Sequence, residues 1–132
     1  MWLIFKINYI LILYKTMFTG IVQYLYNIII KGTCLYLYAD TNFLNNLKIG
    51  DSVAIDGVCL TVVGITDEYC YFHISEETVK KTILKDGLKK KANIELALKY
   101  GDYLGGHIMS GHVHEIGTFI ILSENGEMWI DL

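Results

Sequence analysis

Apolar and polar positions alternate along this chain in short runs, separated by glycine-bearing turns. That pattern predicts β-strands rather than long helices. The stretch FTGIVQYLYNIIIKGTCLYLYAD (18–40) is rich in Ile, Val and Tyr and breaks at Gly32, which predicts two strands and a turn. NFLNNLKIGD (42–51) predicts a short helical or irregular connection ending at Gly50-Asp51. SVAIDGVCLTVVGIT (52–66) is two apolar runs around Asp56-Gly57, a dipeptide that favours a tight hairpin. DEYCYFHIS (67–75) alternates strictly, with Tyr69, Tyr71 and His73 on one face and Cys70, Phe72 and Ile74 on the other. SEETVKKTILKDG (75–87) is the clearest helix start. Ser75 can cap, Glu76 and Glu77 suit the positive end of the helix dipole, and Lys80 and Lys81 follow. GTFIILSENGEMWIDL (117–132) predicts a strand, a turn at Asn125-Gly126 and a second strand. Together these runs predict a small all-β domain, an antiparallel barrel or a sandwich, with no internal repeat.

Composition narrows the picture. At 132 residues the chain holds one domain with a core of useful size. Its 53% hydrophobic and 19% charged content excludes a disordered chain. The net charge of −3 is scattered, so no basic footprint for nucleic acid is present, and the lysine run 89–91 reads as a solvated edge. The first sixteen residues, MWLIFKINYILILYKT, are apolar but interrupted by Lys6, Asn8 and Lys15. The segment is short for a transmembrane helix and lacks a small-residue cleavage site, so it is expected to be an extension outside a domain spanning 17–132. The three cysteines are an odd number with no CxxC spacing, which argues against a disulfide framework or a structural zinc site and fits a reducing cytoplasm.

Three stretches carry candidate chemistry. In GVCLTV (57–62), Cys59 and Thr61 share one strand face, opposite Leu60 and Val62. They are either a buried Cys beside a Thr that bonds the backbone, or a polar pair at a barrel mouth that meets the edge of a flat heterocycle. Ser75 and Thr78 cap a helix whose free N–H groups also suit carbonyl or anionic oxygens. YGDYLGGHIMSGHVHEIG (100–117) holds three of the four histidines and five of the twelve glycines. His112 and His114 share a strand face, whereas His107 has the opposite parity. No third ligand at a fixed spacing supports a metal, and no G-x-S-x-G elbow supports a nucleophile triad. Gly105, Gly106 and Gly111 permit close backbone approach, so the stretch is either a ligand loop with histidines at its rim or a turn with incidental histidines.

Taken together, MFTGIV (17–22), GDSVAIDGVCLTV (50–62), ISEETVKKTIL (74–84) and LGGHIMSGHV (104–113) resemble, in order and spacing, the N-terminal domain of the riboflavin synthase family. The resemblance spans residues 17 to 132. It implies a small six-stranded antiparallel Greek-key barrel with one or two short helices, the first of two such barrels that family members carry in tandem. It implies dismutation of two 6,7-dimethyl-8-ribityllumazine molecules to riboflavin and a diaminopyrimidinedione, with no cofactor and no metal. Carried over residue by residue, Phe18, Cys59, His107 and His112 match positions tied to activity. Gly20, Ile21 and Val22 match one ligand-contacting segment, and Cys59, Leu60 and Thr61 a second. His73, Ile74, Ser75, Glu76, Glu77 and Thr78 match a third, and Gly111, His112 and Val113 a fourth. His114 has no such match and reads as incidental. Family members form homotrimers through a C-terminal helix, and lone barrels would instead pair as dimers. A functional link to lumazine synthase is implied as well, and neither nucleic acid nor a membrane is an expected partner. The alternative function is a non-catalytic lumazine- or flavin-binding module, like the family's antenna relatives.

Overall fold

The strand-like runs close into an antiparallel barrel in the computed structural model of the chain, which describes residues 17–122 and 128–131. The barrel strands are β1 (Tyr24–Lys31), β2 (Cys34–Tyr38), β3 (Ser52–Ile55), β4 (Val58–Ile65), β5 (Tyr69–His73) and β6 (Lys89–Leu96). Their order is β1-β2-β5-β4-β3-β6, and β6 pairs back with β1 to complete the ring. Strands β3 to β5 form a meander and β6 returns beside β3, a Greek-key path. Two short helices, α1 (Thr41–Asn45) and α2 (Glu76–Lys81), fill connections. This is the expected six-stranded barrel. The closing strand β6 is the element that the apolar pattern did not reveal. Its leading lysines hide an alternation in which Ala92 and Ile94 are fully buried while Lys91 and Asn93 face solvent.

Period-two alternation fills the barrel. Ile28 and Ile30, Leu35 and Leu37, Leu60 and Val62, Cys70 and Phe72, and Ala92 and Ile94 all point inward and pack as one cluster. The β3–β4 hairpin turns where expected, with Asp56 at φ 48° and Gly57 at φ 80°, the left-handed pair that a type I′ turn needs. The Asp56 carboxylate accepts from the Asn93 amide at 2.8 Å and meets Lys90 Nζ at 2.7 Å, which ties the hairpin tip to β6.

Helix α1 buries Phe43 and Leu44, and Tyr24 and Tyr26 pack edge-on against the Phe43 ring at 5.1 Å. Its cap Asp40 accepts from the Phe43 amide at 2.9 Å and from the Tyr26 hydroxyl. Burial, then the Asp40 hydrogen bond, push the Tyr26 phenol up to about 12, and the same hydroxyl holds the Asp40 carboxyl below its usual range. Tyr26 therefore contributes stability that is fully present below pH ~10 and lost as pH rises through about 12. Asp40 contributes stability that is present above pH ~4 and lost as pH falls through its depressed value. Asp40→Asn is expected to flatten the acid limb of stability and to return Tyr26 toward ordinary titration. Phenolate absorbance against pH, with melting temperatures between about pH 2 and pH 5, checks both.

Outside the barrel, β7 (Thr118–Leu122) and β8 (Met128–Asp131) pair antiparallel as a separate two-stranded sheet. These are the two strands expected at 117–132. Their Asn125-Gly126 turn and the expected extension at 1–16 lie outside the described residues.

The structure corrects one expectation, since the chain does hold a short internal echo. Phe18-Thr19-Gly20-Ile21-Val22-Gln23 and Met109-Ser110-Gly111-His112-Val113-His114 each carry a glycine at positive φ, 82° and 74°. A strand that ends at Lys31 or Leu122 follows each, and each opens an antiparallel hairpin. The matching residues Phe18 and Met109 exchange both backbone hydrogen bonds, at 2.8 and 2.9 Å, so the copies meet about a local two-fold axis. Only glycine and valine are identical between the copies, too little to stand out in sequence.

Candidate functional site

The second echo copy lines the site, and the first helps to hold it in place. The entry segment, residues 17–23, runs along the barrel's outer wall, and the return segment, 97–117, comes back across it. Met17 O accepts from Leu98 N at 2.9 Å and Thr19 O from His107 N at 2.8 Å. The Phe18–Met109 bridge continues the contact, and the Cys59 amide then donates to Gly111 O at 2.9 Å. The return segment is thereby laid beside the start of β4. Two glycines make this possible. A Cβ at Gly106 would stand 2.4 Å from Thr19 O, and one at Gly111 would stand 2.7 Å from Cys59 Cβ.

Between β4, α2 and the return segment lies an open cleft of about 290 Å³. Val58 and Cys59 line it from β4, Glu77, Thr78, Lys81 and Thr82 from the helix side, and Gly111 to His114 from the return segment. Ser75 caps α2 by accepting from Thr78 N at 3.1 Å and shares a 2.9 Å hydroxyl contact with Thr78. Lys81 meets Glu77 at 2.7 Å and holds its carboxyl below the usual range. The cleft thus offers a thiol, hydroxyls, an ion pair and two imidazoles around an apolar floor. That mixture suits a small polar ligand.

The sequence-predicted residues divide. Cys59, Glu77, Thr78, Gly111, His112 and Val113 come together at the cleft. Leu60 points into the barrel at 5% exposure and Ile74 is buried at 3%. Thr61 is exposed on the outer face of β4, and Glu76 is exposed on α2. His73 faces away to the β2 side, where its Nδ1 lies 3.5 Å from Cys34 Sγ. Gly20, Ile21 and Val22 belong to the entry segment. Ile21 lines a second hollow, with Thr19, Glu95 and Tyr103, rather than the cleft itself. Phe18 is buried, so its influence passes through the backbone bridge it anchors. His107 is exposed and holds the entry segment by its amide. Sequence reading missed Val58, Lys81, Thr82 and His114. Helical spacing from Thr78 was the available signal for Lys81 and Thr82, and strand parity with His112 was the signal for His114.

Burial raises the Cys59 thiol pKa, an effect the neighbouring Ser52 hydroxyl offsets only in part. The raised pKa favours the thiol over the thiolate and so argues against Cys59 as a ready nucleophile. Iodoacetamide at pH 7.5 is expected to alkylate Cys59 more slowly in the folded chain than in the unfolded one. Peptide mass spectrometry against time checks this, and equal rates would return Cys59 to the list of nucleophiles. Among the described residues, no three His, Cys, Asp or Glu side chains gather as a metal-ligand set.

Comparison with known proteins agrees with this geometry. The Lumazine binding domain family matches residues 19–97. The riboflavin synthase of Chlamydia pneumoniae is 36% identical over 115 residues, covering 83% of this chain and 58% of the relative. That of Buchnera aphidicola subsp. Schizaphis graminum is 40% identical over 121 residues, covering 86% and 58%. The chain therefore spans little more than half the length of these curated relatives. Among solved structures, LumP complexed with 6,7-dimethyl-8-(1'-D-ribityl) lumazine superposes with a TM-score of 0.64 at 25% identity, over 81% of this chain and 62% of that one. The family match runs from the entry segment to the end of β6, more than half of the chain and all six barrel strands, and by it this protein belongs to the lumazine binding domain family.

Proposed function

We propose that this chain is the first barrel of a riboflavin synthase and that its cleft binds 6,7-dimethyl-8-ribityllumazine for dismutation to riboflavin and a diaminopyrimidinedione. The observation that carries this reading is the Gly111–Cys59 contact. It lays His112 and His114 beside α2 and β4 in a chain whose relatives are riboflavin synthases.

The reaction joins two copies of one substrate, so its main requirement is to hold two flat rings face to face at high effective concentration. One cleft holds one ring. A second barrel, or a second copy of this chain in a homo-oligomer, supplies the other. The second strap and hairpin at 109–131 is where we place the start of a second barrel. Thr78 and backbone groups at the α2 start orient the polar ring edge, and Glu77 and Lys81 take hydroxyls of the ribityl chain. His112 carries the proton leaving the acidic methyl group of one lumazine, with His114 beside it in the cleft as relay. These steps invoke protein side chains and the two substrate rings, and no cofactor is proposed. Lumazine synthase, as the source of the substrate, is the functional neighbour. The three thiols are free, which agrees with a cytoplasmic setting, and among the described residues no helix is long and apolar enough to cross a membrane.

The test is to mix the purified chain with 6,7-dimethyl-8-ribityllumazine and follow absorbance and emission. Growth of the riboflavin spectrum is expected if barrels pair. An immediate static shift marks a binding half that needs a second barrel in trans, or the non-catalytic module. An unchanged spectrum overturns the ligand assignment.

A further inference from the structure

We infer that Glu95 is a positioning residue for this cleft, a carboxylate clamp that holds the entry segment and, through it, the return segment against β4. Glu95 sits on β6 with the parity of an outward-facing side chain, between the buried Ile94 and the half-buried Leu96, yet only 7% of it is exposed. What covers it is the entry segment. Its Oε1 accepts from Thr19 N at 2.6 Å and from Thr19 Oγ1 at 2.8 Å, and its Oε2 accepts from Gly20 N at 3.1 Å. One side chain thus satisfies two backbone amides and a hydroxyl that no strand pairing serves.

The clamp matters because of what Thr19 holds next. Thr19 O takes the His107 amide, Phe18 bridges Met109, and Gly111 then meets Cys59, so four backbone contacts of 2.8–2.9 Å link the clamped segment to the cleft. The clamp acts on the first echo copy alone. In the second copy, the residues matching Thr19 and Gly20 are Ser110 and Gly111, and Gly111 is held by the Cys59 amide instead. The two copies are thus anchored by different barrel strands, β6 and β4, and the Phe18–Met109 bridge joins them. The hydrogen bonds of the Glu95 side chain go to Thr19 and Gly20, neither of which lines the cleft, so they reach the return segment through the entry segment.

The test uses the full chain and two variants. Glu95→Gln keeps the shape and one acceptor but turns an NH₂ group toward backbone donors. In the absence of ligand, the amides of His107, Met109 and Cys59 are expected to exchange with deuterium about tenfold faster or more, while Leu37 and Cys70 in the barrel keep their protection. Thr19→Val, which puts a methyl in place of the hydroxyl and so removes its bonds to Glu95 and to the Ile21 amide, is expected to speed the same three amides several-fold, and its effect is expected to shrink when Glu95 is already Gln. Unchanged exchange at the three amides overturns the clamp, as does uniform loss of protection across the barrel in Thr19→Val. If Glu95→Gln does not fold, Thr19→Val alone decides by the same three amides. Affinity for 6,7-dimethyl-8-ribityllumazine is expected to fall about tenfold in Glu95→Gln. That arm rests on the function proposed above. A wild-type chain that binds no lumazine would defeat that function and leave the exchange result to decide the clamp.

Discussion

Gly111→Ala is expected to weaken lumazine binding at least about 30-fold and to release the Cys59 amide to exchange. Two costs combine. Gly111 has φ +74°, where an L-residue loses ~1–2 kcal/mol. The new Cβ would also lie 2.7 Å from Cys59 Cβ and 3.0 Å from Cys59 N, and a strand backbone cannot yield as a flexible side-chain end can. Overpacking of that kind costs ~1–3 kcal/mol, so the total is ~2–5 kcal/mol, directed at the contact that forms the cleft. Gly20→Ala is the matched control. Its φ is +82°, but its Cβ would meet only Met109 Cγ at 3.3 Å, the flexible part of a side chain. It is expected to lose only the conformational ~1–2 kcal/mol. Fluorescence titration of lumazine against both variants measures the difference. Equal affinities for Gly111→Ala and wild type would show that the cleft does not depend on this approach.

Phe18→Ala is expected to open the entry and return segments while the barrel stays closed. The ring is 1% exposed, and truncating a buried Phe costs ~3–5 kcal/mol. Phe18 lies outside the main core cluster, so the loss falls on the Phe18–Met109 bridge rather than on the six strands. A loss of that size is smaller than the ~5–15 kcal/mol that holds a typical domain together, yet it exceeds what a surface segment held by a few hydrogen bonds can absorb. Protection of the Met109 and His107 amides should vanish. Phe72→Ala, at the barrel centre with 0% exposure, should instead lower the protection of all strands together. A Phe18→Ala protein that unfolds globally like Phe72→Ala would show that the entry segment is part of the core. One that keeps full Met109 protection would show that the ring anchors nothing.

Particular residues show how far sequence alone reaches. The inward set of β5 and the residue after it, Cys70, Phe72 and Ile74, was legible because period-two alternation has only one solution once one face must be buried. The Asp56-Gly57 turn and the Ser75 cap were legible for a similar reason, since few residues tolerate left-handed φ or reach back to an orphan amide. Strand β6 was not, because its lysines extend from a barrel wall whose closure on β1 only the assembled ring reveals. The glycines and histidines of 100–117 signalled a site, yet their spacing held no record of Thr19, Glu95 or Cys59 as partners. Those contacts join residues 52 to 88 positions apart (Cys59 with Gly111, Thr19 with His107), and no local period encodes a separation of that length.

Alternation and turn chemistry, being local, determined the strand faces, the hairpins and the capped helix, and the four motif stretches carried the family resemblance. The tertiary structure alone decided three things. It placed His73 and Thr61 away from the cleft and brought in Lys81 and His114. It also buried an outward-facing Glu95 under the entry segment. The reason is common to all three: which side chains share a cleft depends on how separate segments cross in space, and crossing is settled by the packing of the whole barrel.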